Sequence, residues 1–163
     1  MILTHNNLKL LLTLVFVLFV SACSSKENEN LIALDVYKSP TCKCCGKWIS
    51  HAKENGFKTK THNSGNMSLV KDKAGVPPNY RSCHTSISKD GYVFEGHIPS
   101  SIIHKFLSEK PENSKGLIVP GMPVGTPGME YHNKFQPYDV LLLNKDGSVS
   151  TYVTINTKQE QFK

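Results

Sequence analysis

From Leu31 onward the apolar residues come in short blocks, and the period of those blocks changes along the chain. Leu31 to Tyr37 alternates and predicts a strand, which Ser39-Pro40-Thr41 stops. Cys45, Trp48, Ile49 and Ala52 then fall at i, i+3, i+4 and i+7, one apolar helix face, and Asn55-Gly56 is a typical helix end. Phe57 to His62 predicts a second strand. Asn66 is suited to cap a short helix carrying Met67, Leu69 and Val70, which Gly75 and Pro77-Pro78 end. Thr85 to Ser88 and Tyr92 to Glu95 flank Lys89-Asp90-Gly91 and predict a hairpin. Pro99 opens a helix with Ile102, Ile103, Phe106 and Leu107 on one face, closed by Pro111. Lys110 to Pro137 is rich in glycine and proline and is expected to be one long loop, of the kind that usually carries function. Val140 to Leu143, a turn at Asn144 to Gly147, and Val149 to Ile155 predict a last hairpin. The polar tail from Asn156 to Lys163 is expected to fray.

The first thirty residues follow a different pattern. Lys9 precedes an apolar run from Leu10 to Val20, which is short for a membrane span of about 20 residues. A short polar start, an apolar core and a small-residue end describe an export signal over residues 1–22. Its end, Val20-Ser21-Ala22-Cys23, is similar to a bacterial lipobox, in which Cys23 becomes the lipidated N-terminus; an ordinary signal peptide cut nearby is the alternative. Residues 23–30 then form a polar tether, and the domain runs over residues 31–155. Ser24 after the cysteine fits an outer-membrane anchor facing the periplasm. Contact with the membrane is expected through this lipid alone.

Loss of Lys9 with the signal leaves 18 basic and 13 acidic residues, a net charge of +5. No basic stripe is interleaved with aromatics, so nucleic-acid binding is not expected. The lysines are expected to form a solvated surface.

The chemistry concentrates at the start of the first helix, in Cys42-Lys43-Cys44-Cys45. Amides and the dipole at a helix start stabilise thiolates, the form needed both for metal binding and for disulfide exchange. Cys42 and Cys45 have the Cys-x-x-Cys spacing of thioredoxin-like redox sites, and β-α-β-α-β-β-α is the thioredoxin order. The expected fold is therefore α/β and thioredoxin-like, with an added Gly/Pro/Met loop and a C-terminal hairpin; another α+β layer fold is the alternative. Cys44 is a third thiol that a two-electron dithiol cycle does not need. Neighbours on a helix point about 100° apart, so Cys44 and Cys45 are expected to reach separate ions and to favour a multinuclear site over a single tetrahedral zinc.

In a thioredoxin-like chain the stretch before the third strand faces the start of the first helix. Here that stretch carries Cys83 and His84, which are expected to complete the site rather than to be inert loop residues. Met122 and Met129 lie between glycines and prolines in the long loop, where there is little core to fill. Thioether selects Cu(I) and is a poor ligand for zinc or magnesium, so four cysteines with histidine and methionine point to copper. His97 lies near the same end of the sheet and is a further candidate. His51 shares a helix face with Cys44 but sits about 10 Å farther along the axis, and is expected to be structural. His62 and His104 are expected at the surface or in hydrogen bonds, and His132, near Met129, is a marginal candidate.

These residues resemble the CopG-type periplasmic copper-resistance family. The likeness runs over about residues 33–143. It is carried by Cys42-x-Cys44-Cys45-x-x-Trp48, Gly75-Val76-Pro77, Ser82-Cys83-His84-Thr85, Glu95-Gly96-His97-Ile98-Pro99, Gly116-Leu117 with Pro120-Gly121-Met122-Pro123, and Pro127-Gly128-Met129. The resemblance implies a thioredoxin-like fold, a cysteine-bridged cluster of several copper ions, and a role in envelope copper handling that includes interconversion of Cu(I) and Cu(II). It implies Cys42, Cys44, Cys45, Cys83, His84, Met122 and Met129 as site residues, with His97 beside them. Copper ions are the expected partners, with other envelope copper-handling proteins or an electron partner beside them.

Three other readings stand beside copper resistance: a thiol oxidoreductase using Cys42 and Cys45, a passive Cu(I) chaperone, and a structural zinc domain, which the methionines disfavour. In an oxidising compartment the metal-free thiols are expected to pair as disulfides.

Overall fold

The computed structural model describes residues 31–162. The expected export signal, the lipid-bearing Cys23 and the tether lie outside the described residues. Strand β1 (Ile32–Lys38) is followed by helix α1 (Lys43–Glu54), β2 (Phe57–Asn63), α2 (Met67–Ala74), β3 (His84–Ser88), β4 (Val93–Glu95) and α3 (Ser100–Glu109). The chain continues into β5 (Ser114–Ile118), β6 (Tyr138–Asn144) and β7 (Val149–Ile155).

One sheet contains all seven strands in the order β2-β1-β3-β4-β5-β6-β7. β1 pairs parallel with β2, and the β3–β4 hairpin lies antiparallel beside β1. This is the expected thioredoxin-like α/β arrangement. β5, β6 and β7 extend it from the β4 edge, β5 parallel to β4 and the rest antiparallel.

The period-two pattern sends alternate residues to opposite sides of the sheet. Phe94 and Leu117 join Trp48, Ile49, Ala52, Ile102, Ile103 and Phe106 in the larger core, so α1 and α3 cover that face. Their neighbours Val93 and Ile118 join Ala74, Val76 and Leu143 in a smaller core under α2. Helix α1 buries Cys45, Trp48, Ile49 and Ala52, the four residues its spacing predicts.

The structure differs from the sequence reading at three places. First, Lys110 to Pro137 is not one loop, because Ser114–Ile118 forms β5 inside it. Gly116 hides this strand, since an interior glycine argues against one. It is needed because a Cβ there would meet the Val93 carbonyl oxygen at 1.7 Å. Second, α2 buries Lys71 and Ala74, while Leu69, one of the apolar residues that mark this helix in the sequence, is 48% exposed. Third, the tail is ordered. Lys158–Phe162 forms a 3-10 turn in which Gln161 is buried. Its side-chain nitrogen donates to the Gly125 carbonyl at 3.1 Å and its side-chain oxygen accepts from the Tyr138 hydroxyl at 3.0 Å.

Candidate metal centre

Cys42 caps α1 and its amide donates to the Ser39 carbonyl at 3.1 Å, so the turn that stops β1 delivers the first thiol. Its Sγ accepts the Cys45 amide at 3.3 Å. Cys42 and Cys45 form a disulfide, as expected for metal-free thiols, while Cys44 and Cys83 are free. Cys44 Sγ lies 3.5 Å from Cys42 Sγ. Cys83, at the foot of β3, completes a group of four sulfurs that all lie within 4.8 Å of one another. Direction along the helix therefore does not by itself assign Cys44 and Cys45 to separate ions. The turn at Cys42, whose backbone is extended rather than helical, lets the three thiols converge.

Cys83 also belongs to a second group, with His84 and His97, under the same 4.8 Å limit. Cys83 Sγ lies 2.9 Å from His97 Nε2 and 3.4 Å from His84 Nδ1. His97 Nδ1 is 2.7 Å from the Pro127 carbonyl. A carbonyl only accepts, so the His97 proton sits on Nδ1 and its Nε2 lone pair faces Cys83. Fixing the tautomer through the outer nitrogen is how metal-binding histidines are usually oriented.

Burial holds His97 below its ordinary pKa, only partly opposed by its bond to Pro127 and by Glu130. His84 lies well below its ordinary value, first from complete burial and then from the nearby His97 and Lys71. Both rings are neutral, the form that ligates. The Cys83 thiol is pushed up to about 12, mainly by burial and then by Cys44. The expectation of easily lost thiol protons therefore does not extend to Cys83, which is not at the helix start. A metal bound here would have to displace a proton, which couples uptake to pH.

The donor set suits a soft ion. His84 Nε2 is buried with no hydrogen-bond partner among the described residues, a costly arrangement in a finished apolar core. Thiolate and imidazole together are what copper in either common state accepts.

The loop of the two methionines is tied to the same place. The Ser82 hydroxyl donates to the Gly121 carbonyl, and the Gly121 amide to the Arg81 carbonyl at 3.3 Å. Gly128 packs so closely that a Cβ would lie 2.7 Å from the Trp48 amide nitrogen and 2.8 Å from the Cys44 carbonyl oxygen. Met129 follows directly and is half-buried, its amide donating to Thr126 at 2.8 Å. Met122 is 52% exposed.

The remaining histidines do not join these groups. His51 Nε2 accepts the Ser100 amide at 3.2 Å and links α1 to the start of α3. His62 pairs with Asp35 at 2.6 Å, and His104 bonds the Asn55 carbonyl at 2.7 Å. His132 is exposed against Tyr131. The sequence pattern carries no sign of the Pro127 carbonyl that orients His97, nor of the pairing of Lys71 with Glu95 behind Cys83. A backbone contact and a pairing across 24 residues leave no local pattern to read.

A family described as a protein of unknown function, DUF411, matches residues 80–129, a stretch that includes Cys83, His84, His97, Met122 and Met129. No curated protein matches the chain. Two solved structures do, both described as copper resistance protein CopG. Form 1 is 40% identical, covers 79% of this chain and 100% of its own, and superposes with a TM-score of 0.72. Form 2 is also 40% identical, covers 77% and 98%, and has the same TM-score. With that identity over the full length of a relative of the same fold, the chain belongs to the CopG family of copper resistance proteins.

Proposed function

We propose that the protein binds copper in the cell envelope for copper resistance, through Cys42, Cys44, Cys45, Cys83, His84 and His97, with Met122 and Met129 supplied by the long loop. The observation that carries this reading is that Cys83 belongs both to a group of four cysteine sulfurs and to a group with His84 and His97. Soft thiolate and thioether favour Cu(I), and imidazole also accepts Cu(II), so the mixed set suits a centre that interconverts the two by exchanging electrons with a partner. Cys44 supplies the thiolate beyond the redox pair that allows sulfurs to be shared among several ions. The lipobox-like end of residues 1–22 supports a lipid anchor at Cys23 that holds this chemistry on the periplasmic side.

The test is metal analysis of the mature, lipid-anchored protein extracted from the membrane fraction of cells. Several copper ions per chain, falling in Cys44→Ser, support the reading. At most one copper, with zinc or no metal in its place, counts against it. A second reading has one observation behind it, the Cys42–Cys45 disulfide, which fits a thiol oxidoreductase. Reduction of insulin that survives Cys44→Ser but not Cys45→Ser would favour that reading. Rapid Cu(I) transfer to an acceptor without oxidation would favour a chaperone.

A further inference from the structure

Lys71, Thr85 and Glu95 are buried together just behind the donors. Glu95 Oε1 lies 2.5 Å from Lys71 Nζ and accepts the Ser82 amide at 2.7 Å. Glu95 Oε2 accepts the Thr85 hydroxyl at 2.6 Å, and Lys71 Nζ lies 3.2 Å from the same hydroxyl. The carboxylate thus holds the residue before Cys83 and the residue after His84. One residue on, the Gly96 amide donates to the His84 carbonyl at 2.9 Å, and His97 follows. Gly96 is required there, since a Cβ would meet the Val119 carbonyl oxygen at 2.4 Å.

Burying two charges is a poor way to stabilise a fold, because a well-packed apolar pair commonly does as well or better. The pair also accompanies an inward turn of Lys71 on α2, while Leu69 of the same helix is left exposed. We propose that Glu95, neutralised by Lys71, is a positioning residue that clamps the strap from Ser82 to Thr85, so that Cys83 and His84 meet His97 at one point. Neither residue touches the metal. The proposal rests on the copper-binding reading above for its purpose but not for its geometry.

The test uses the full-length protein, reduced, in five variants: Glu95→Gln, Lys71→Met, Thr85→Val, the double variant Lys71→Met/Glu95→Leu, and Ile103→Val as a core control. In metal-free protein, the rate at which iodoacetamide alkylates Cys83 is read by peptide mass spectrometry. Cu(I) affinity is then read by competition with bicinchoninate, well below each variant's unfolding temperature, together with the thiolate-to-copper absorption band.

Losing a charged hydrogen bond should loosen the strap, so alkylation should quicken and Cu(I) affinity fall by about tenfold in Glu95→Gln and Lys71→Met, and by less in Thr85→Val. The double variant should regain thermal stability but not affinity, and Ile103→Val should change neither alkylation nor affinity. Wild-type alkylation and affinity in folded Glu95→Gln and Lys71→Met overturn the proposal, as does a double variant that regains both stability and affinity. Should the single charge variants not fold, Thr85→Val and the double variant decide on the same readouts. Should the wild type take up no copper, the copper reading fails, and the alkylation rates still decide the clamp.

Discussion

At the scale of single residues, the site depends on contacts that leave no room for substitution. Gly128 has φ +84° and faces the backbone of Cys44 and Trp48. Gly128→Ala therefore adds left-handed strain to a backbone clash and should cost roughly 1–3 kcal/mol. Denaturant unfolding of the metal-free protein measures that cost, and Cu(I) competition should show weaker binding as the Met129 turn is pushed off α1. His51 gives a pH dependence of defined sign. Burial lowers its pKa despite Glu130 and Glu54, and its Nε2 must stay unprotonated to accept the Ser100 amide. The unfolded chain protonates this ring near the ordinary value of about 6.5, above the folded pKa. Its contribution is thus complete above about pH 6.5 and is lost as pH falls through the folded value. Thermal unfolding of metal-free protein between pH 7 and 5 should show decreasing stability, with a shallower fall in His51→Gln; a rise on acidification would contradict the assignment. The helix face of Cys45, Trp48, Ile49 and Ala52 was legible because helical spacing is local. The inward turn of Lys71 was not, because its reason is Glu95 on another strand.

At the scale of elements, the expected β-α-β-α-β-β-α order is present because each unit carries its own periodicity and stop signals. What escaped was short, irregular or dependent on distant partners. β5 has five residues with a glycine at its middle and becomes a strand only because β4 and β6 flank it. The tail is polar, and its order follows from one side chain that finds two buried partners. Gln161→Ala would strand the Tyr138 hydroxyl and the Gly125 carbonyl, a loss of roughly 1–3 kcal/mol. Hydrogen exchange should then quicken at Gly125 and Met129, whose amides close the turn of the methionine loop. Unchanged exchange at those two amides would show that the tail does not brace the loop.

At the scale of the whole molecule, a seven-stranded sheet carries the Cys42–Cys45 pair at one helix start and brings Cys83 and the Gly128 turn against that helix. Because Cys42 and Cys45 are joined, the metal-free protein should offer Cys44 and Cys83 as the free thiols of its described part, with all four free after reduction. Thiol titration with and without reductant checks this. Cu(I) stoichiometry should rise on reduction, and the unfolding temperature should climb with free copper, since a ligand that binds only the folded state stabilises it. The convergence of the four cysteines was foreseeable from topology; the histidine tautomer and the charged clamp needed coordinates. The docked 3-10 turn has a practical consequence at this scale. A purification handle fused just after the turn would pull on the Gln161 side chain and its bond to the Gly125 carbonyl in the loop of the two methionines. Copper affinities measured with such a handle attached would describe a loosened loop, and cutting the handle away would restore the native value.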